Sequence, residues 1–198
     1  MRVAIVLSLI CGLLACIPGE AVNWLSLDRH ALLSGEVWRL WTGHLVHYSA
    51  MHAAEDIVLL FVVTAIAERE VGGWATGIAL LVGAPLISLG LILLVPDLAL
   101  YEGSSGLSAF LGFIVGTLIW RRSPHLRFMI GCIGVVVIAK TSLDAAGLLA
   151  GFSSVPAGIR IAWQAHVIAW LIAAAFMALE AHATLDRGRA AKRSAAKG

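Results

Sequence analysis

The chain has 198 residues, 60% of them hydrophobic and 13% charged, with a formal net charge of +2 at pH 7 and a mean hydropathy of +0.92. Such proportions exclude a water-soluble globular domain, and a positive charge concentrated in the last residues gives no nucleic-acid face. They predict an integral membrane protein.

Apolar stretches long enough to cross ~30 Å of hydrocarbon as helix run near 3–18, 50–67, 71–95, 103–120, 128–149 and 161–181. No alternating pattern of strand length recurs, and only helices or closed barrels satisfy the backbone in lipid. The expectation is therefore an all-α membrane protein, one six-helix domain over 1–182 followed by a basic, disordered tail over 183–198. Arg2, Arg69, Arg121, Arg122, Arg127 and the tail "RGRAAKRSAAKG" fall on one side, leaving only Arg29, Arg39 and Arg160 on the other. Cytoplasmic ends collect Lys and Arg, so both termini are predicted to be cytoplasmic.

In chain order, "MRVAIVLSLICGLLAC" imitates a lipoprotein signal, but cleavage would leave five spans, so it is expected to stay as the first helix. Cys11, Cys16 and Cys132 all lie in apolar stretches and read as packing residues rather than a disulfide framework. The connection 19–49 carries Trp24, Trp38, Trp41 and Tyr48, a set suited to the headgroup level. The second stretch opens with His47, His52, Glu55 and Asp56, with His52 and Asp56 four apart on one face. Ionisable groups at such depth cost a few kcal/mol and mark functional candidates. Lys140 and Asp144, also four apart, read as a self-neutralising ion pair.

The fourth stretch begins within "ALYEGSSGLSAFLGF". Counting back from Arg121, Ser105 lies about sixteen residues in, or ~24 Å at 1.5 Å per residue, short of the far surface. From the Glu180–His182 end, His166 lies about fifteen residues in, ~22 Å, so serine and histidine share a depth. Small residues on one stripe of each helix, Ser105, Ala109, Gly112 and Gly116 against His166, Ala169 and Ala173, favour close approach. A serine hydroxyl needs a neighbouring base, and histidine is suited to that role. Ser105 and His166 are thus the predicted catalytic pair, with the Ser105 N–H, His52 and a protonated Asp56 as candidate oxyanion donors. Lys140 is a rival base. Tyr101 and Glu102, just before the motif, are predicted to line the way in for substrate. A metal site or ion pathway built from His44, His47, His52 and Asp56 is a competing reading.

"EVWRLWTGHLVHYSAMHAAED" (36–56) resembles the rhomboid signature of a WR-containing loop followed by a His-x-x-x-Asn helix. "GSSG" (103–106) is similar to the rhomboid G-x-S-G nucleophile motif, and "AHVIAWLIA" (165–173) to the A-H-x-x-G-x-x-x-G sixth helix. The three occur in family order. The resemblance implies intramembrane serine proteolysis without a cofactor, with Ser105 as nucleophile, His166 as base and His52 as an oxyanion donor. Asp56 departs from the usual Asn, and Ala169 and Ala173 replace the sixth-helix glycines. The compact length and "AKTSLD" (139–144) resemble the rhombosortase branch. That branch implies membrane-anchored substrates with a Gly-Gly-containing C-terminal sorting signal, in a bacterial inner membrane, cut at a site open to the periplasmic side. An inactive rhomboid-like protein that binds clients is the remaining alternative.

Overall fold

The computed structural model describes residues 1–149, 155 and 162–195, with side chains as far as 183. Helix α1 (Arg2–Ala15) leads into a connection of short pieces: α2 (Gly19–Val22), a 3-10 turn (Asn23–Leu25), β1 (Leu27–Asp28), α3 (Arg29–Leu33) and α4 (Arg39–Thr42). The long helices α5 (Ala50–Val71) and α6 (Gly73–Leu94) follow, then β2 (Leu100–Tyr101), α7 (Ser105–Arg122), α8 (Arg127–Ala145) and α9 (Gln164–Ala195). Each predicted apolar stretch overlaps one of these helices. Among the described residues four segments, Ala50–Val71, Gly73–Leu94, Pro124–Ala145 and Gln164–Ala183, are long and apolar enough to cross a membrane. Helix α1 is apolar but has 14 residues, and α7 has 18, with Arg121 and Arg122 in its last turn. Arg160, Lys197 and the expected start of the sixth stretch at 161 lie outside the described residues.

Two local expectations change. α9 continues as helix to Ala195, through most of the segment expected to be a disordered tail. A two-residue antiparallel ladder, Leu27 opposite Tyr101 and Asp28 opposite Leu100, also interrupts the all-helical plan. Of the three free cysteines only Cys11 is buried; Cys16 and Cys132 face outward.

The helix ends show why these boundaries arise. Ser49 caps α5 by accepting the His52 N–H at 3.1 Å, and Asp28 caps α3 through the Ala31 N–H at 2.8 Å. At the other end of α5, Glu68 accepts the N–H groups of Val3 at 3.2 Å and Ala4 at 3.0 Å, supplying the acceptor that the first turn of α1 lacks. α1 packs on α5, α7 on both α5 and α9, and α6 on α9. The shared core includes Leu60, Ile87, Leu91, Phe110, Leu111, Ala165, Ala169 and Ala173.

Close helix approach occurs at glycines other than the expected stripe. Among the described residues a Cβ at Gly112 would meet nothing within 4 Å and one at Gly116 only Ile130 at 3.9 Å, so this pair does not join those helices tightly. A Cβ at Gly83 would instead lie 2.8 Å from the Phe110 ring, and one at Gly90 only 2.6 Å from Ile168 Cγ2. The α9 half of the expected stripe does pack inward, with Ala169 and Ala173 fully buried. α8 is different: Thr141 and Asp144 are its only buried residues.

The connection between α1 and α5 is a folded unit. Buried Arg39 donates to the carbonyls of Asn23 at 2.9 Å and Ser26 at 2.6 Å and to Glu36 at 2.7 Å, using the guanidinium fork to gather three backbone turns. Trp24, Trp38 and Trp41 face outward, as an aromatic belt requires, whereas Tyr48 is drawn inward against His52. The unit is pinned to α6, where the Trp41 Nε1–H donates to Leu81 O at 2.8 Å and Ser88 donates to Leu40 O at 2.9 Å. His44 Nε2 lies 3.1 Å from Ala84 O and 3.0 Å from Ser88 Oγ.

Gly83→Leu is expected to destabilise the bundle by about 1–3 kcal/mol, because the side chain collides with a ring that has nowhere to move. Thermal unfolding in detergent measures it, and an unchanged midpoint would mean α6 and α7 do not meet there. Complete burial lowers the His44 pKa from 6.5 to about 4. Between those values the unfolded chain binds the proton and the folded one does not. Stability is therefore full above pH 6.5 and declines as the pH falls toward about 4, by up to ~1.4 kcal/mol per pH unit. His44→Gln should flatten that slope in an unfolding series across the window.

Candidate active site

Helix α7 begins at Ser105, so the nucleophile motif is a loop running into a helix N-terminus. Its lead-in is fixed by the β1–β2 ladder and by the connection. Ser26 donates to Glu102 Oε1 at 2.6 Å, the Glu102 N–H donates to the Tyr48 hydroxyl at 3.1 Å, and the Gly103 N–H donates to Gly43 O at 3.1 Å. Gly103 has φ +127°, and a Cβ there would lie 3.0 Å from Asp56 Oδ2 and 3.1 Å from the His52 ring. Both the backbone conformation and the space demand glycine.

Tyr101 and Glu102 occupy places different from the predicted access path. Tyr101 is 3% exposed, stands edge-on to His44 at 5.4 Å, and donates to Gly103 O at 2.9 Å. Its oxygen faces the Ser105 side chain and the Gly106 backbone, and burial raises its pKa, so it remains a neutral hydroxyl beneath the motif. It is a brace under the loop, because a ring at that position has a core to fill. Glu102 is half-buried and tied to Ser26; burial raises its pKa and the Ser26 hydroxyl opposes the shift.

Asp56 lies at the centre. Its Oδ2 accepts the Ser105 N–H at 3.0 Å and lies 3.5 Å from His52 Nε2 and 3.6 Å from His47 Nε2. A donor and two imidazoles thus converge on one oxygen, and Asp56 acts here as an acceptor, where it was expected as an oxyanion donor. Occupying the Ser105 N–H also engages the first candidate for that role. His52 is stacked on Tyr48, with centroids 5.8 Å apart and planes within 9°, and meets His47 edge-on at 5.3 Å. His47 and Tyr48 thereby fix the His52 ring, a role their place in the sequence before α5 did not disclose.

The two serines of the motif differ in access. Ser104 is fully buried, while Ser105 is partly exposed. Gly106, the residue after Ser105, faces Ala165, the residue before His166, so the first turns of α7 and α9 are in contact. His166 is partly buried, and its Nδ1 lies 3.5 Å from Thr141 Oγ1. Lys140 Nζ donates to Asp144 Oδ2 at 2.7 Å, the predicted ion pair, with the Lys140 side chain 61% exposed and that of Asp144 3%. Among the described residues no three His, Cys, Asp or Glu side chains converge to hold a metal ion, and His44 is committed to α6.

Comparison with curated proteins finds no match. The rhomboid domain family matches residues 34–182, a stretch that takes in the connection, the Asp56 cluster, the Ser105 loop and His166. Rhomboids are in general intramembrane serine proteases, and with its long apolar helices this is a multi-pass membrane protein: the chain belongs to the rhomboid family.

Proposed function

We propose that the chain is an active intramembrane serine protease, with Ser105 as nucleophile and His166 as general base. The observation that carries the reading is the contact of the α7 and α9 first turns at Gly106 and Ala165, whose immediate neighbours are the two reacting residues. In the proposed reaction Ser105 Oγ attacks the scissile carbonyl carbon, and its proton passes to His166 as the new C–O bond forms. The C–N bond then breaks, His166 returns the proton to the leaving amine, and water hydrolyses the acyl-enzyme through the same base. The oxyanion is received by the Ser105 N–H and His52. Since Asp56 holds that N–H in the resting protein, the substrate oxygen must replace the carboxylate.

The finer assignment extends this reading. α1 and α7 complete six spans, both termini are cytoplasmic, and the Ser105 loop opens on the outer side of a bacterial inner membrane. Substrates are exported, membrane-anchored proteins of the rhombosortase kind. A Gly-Gly segment near the end of their C-terminal helix lowers the cost of unwinding there, since glycine is about 1 kcal/mol less helix-favouring than alanine.

Ser105→Ala and His166→Ala should each reduce cleavage of a reporter with such a C-terminal helix to background, while Ser104→Ala retains it. A fluorophosphonate should label the wild type at Ser105. Cleavage by the Ser105→Ala protein, or no label on the wild type, would end the protease reading. Asp56→Asn keeps the size of the side chain and removes the negative charge beside the oxyanion. It is expected to raise the cleavage rate several-fold, within the ~10²–10³ that one oxyanion donor is worth. A fall in the rate instead would show the carboxylate to be required.

A further inference from the structure

Among the residues of α8, Thr141 and Asp144 alone are buried, and both are polar. The rest of this helix presents Phe128, Ile133, Val135, Val136 and Ile138 outward. A helix that turns its apolar residues to lipid and its polar ones inward is held by what those polar groups meet. A threonine hydroxyl in a helix ordinarily bonds to the carbonyl four residues back. Ser142, the next residue, does so, donating to Ile138 O at 2.9 Å, as Thr76 does to Gly72 O. Thr141 Oγ1 instead points across to His166 Nδ1 at 3.5 Å, the long end of the hydrogen-bond range.

A histidine can take a proton at Nε2 only if its own ring proton sits on Nδ1, and that choice is made by whatever accepts from Nδ1. We propose that Thr141 is the positioning residue of the His166 ring: its hydroxyl oxygen accepts the Nδ1–H, which fixes the tautomer and leaves the Nε2 lone pair for the Ser105 proton. Thr141 thus stands where a serine hydrolase places its third member, with a neutral acceptor in place of a carboxylate. The catalytic consequence rests on the protease reading; the tautomer does not.

The test is the reaction of purified full-length protein with a fluorophosphonate, in which Ser105 Oγ forms the O–P bond, His166 takes the proton and fluoride leaves. Thr141→Val preserves side-chain shape and removes the acceptor. It should lower kinact about tenfold, the worth of a hydrogen bond to a group that becomes charged, with KI unchanged. Thr141→Ser should restore kinact. In parallel, nitrogen NMR of histidine-labelled protein, with His166 identified by the His166→Ala difference, should find the proton on Nδ1 in the wild type and a loss of that preference in Thr141→Val. A Thr141→Val kinact within twofold of wild type, or a wild-type proton on Nε2, overturns the assignment. If the wild type fails to react with the probe, the protease reading falls and the NMR result alone decides the role of Thr141.

Discussion

A single hydrogen bond joins the two halves of the candidate site: the Ser105 N–H donates to Asp56 Oδ2 across 3.0 Å. It ties the first turn of α7 to the second turn of α5, and its acceptor is also the nearest anion to His47 and His52. The geometry around it follows from this constraint. Gly103 must be glycine because the carboxylate and the His52 ring leave no room for a Cβ. Tyr48 lies flat on His52 because the ring has been turned toward Asp56. An acceptor at the head of a helix also complements the free N–H groups there, so in the proposed mechanism the carboxylate occupies, in the resting protein, the position an oxyanion takes.

The second constraint is mechanical. α7 carries the serine, yet its position is set largely from outside the long helices, by the ladder of Leu27 with Tyr101 and the bonds from Ser26, Tyr48 and Gly43. The connection supplying those bonds is itself gathered by Arg39 and pinned to α6 by Trp41, His44 and Ser88. Placing a reactive loop in a bilayer requires every backbone group near it to have a partner within the protein, and this connection provides several of them.

Much of this was legible in the residues. Apart from the C-terminal end of α9, the apolar stretches located the helix ends to within about four positions, because hydrophobic length is a strong signal. The G-S-S-G motif, the His52–Asp56 spacing and His166 pointed to elements that the fold brings together at Asp56, Gly103 and Ala165. Other features were hidden for physical reasons. The Gly112–Gly116 spacing says that a helix can be approached closely but not on which face, and the tight contacts occurred at Gly83 and Gly90. Tyr101 looked like an access residue because it precedes the motif, whereas strand pairing turned its ring into the core. A two-residue ladder leaves no periodic trace. Thr141 lies within the "AKTSLD" segment, but nothing in that segment shows that its hydroxyl meets His166 until the two are seen opposite each other. The charge on Asp56 was visible from the start, but whether it donates or accepts depended on where the Ser105 backbone came to lie.

The crowding at Gly103 has a consequence for how the gene can drift. No replacement is sterically silent at that codon, since even alanine would meet a carboxylate oxygen at 3.0 Å while adopting a φ of +127°. The neighbouring Ser104 has a buried hydroxyl with no hydrogen-bond partner among the described residues, so a change to alanine there removes none of the bonds described. Adjacent positions in one short loop thus differ sharply in the variation they tolerate, and a natural variant at the first is expected to be a loss-of-function allele.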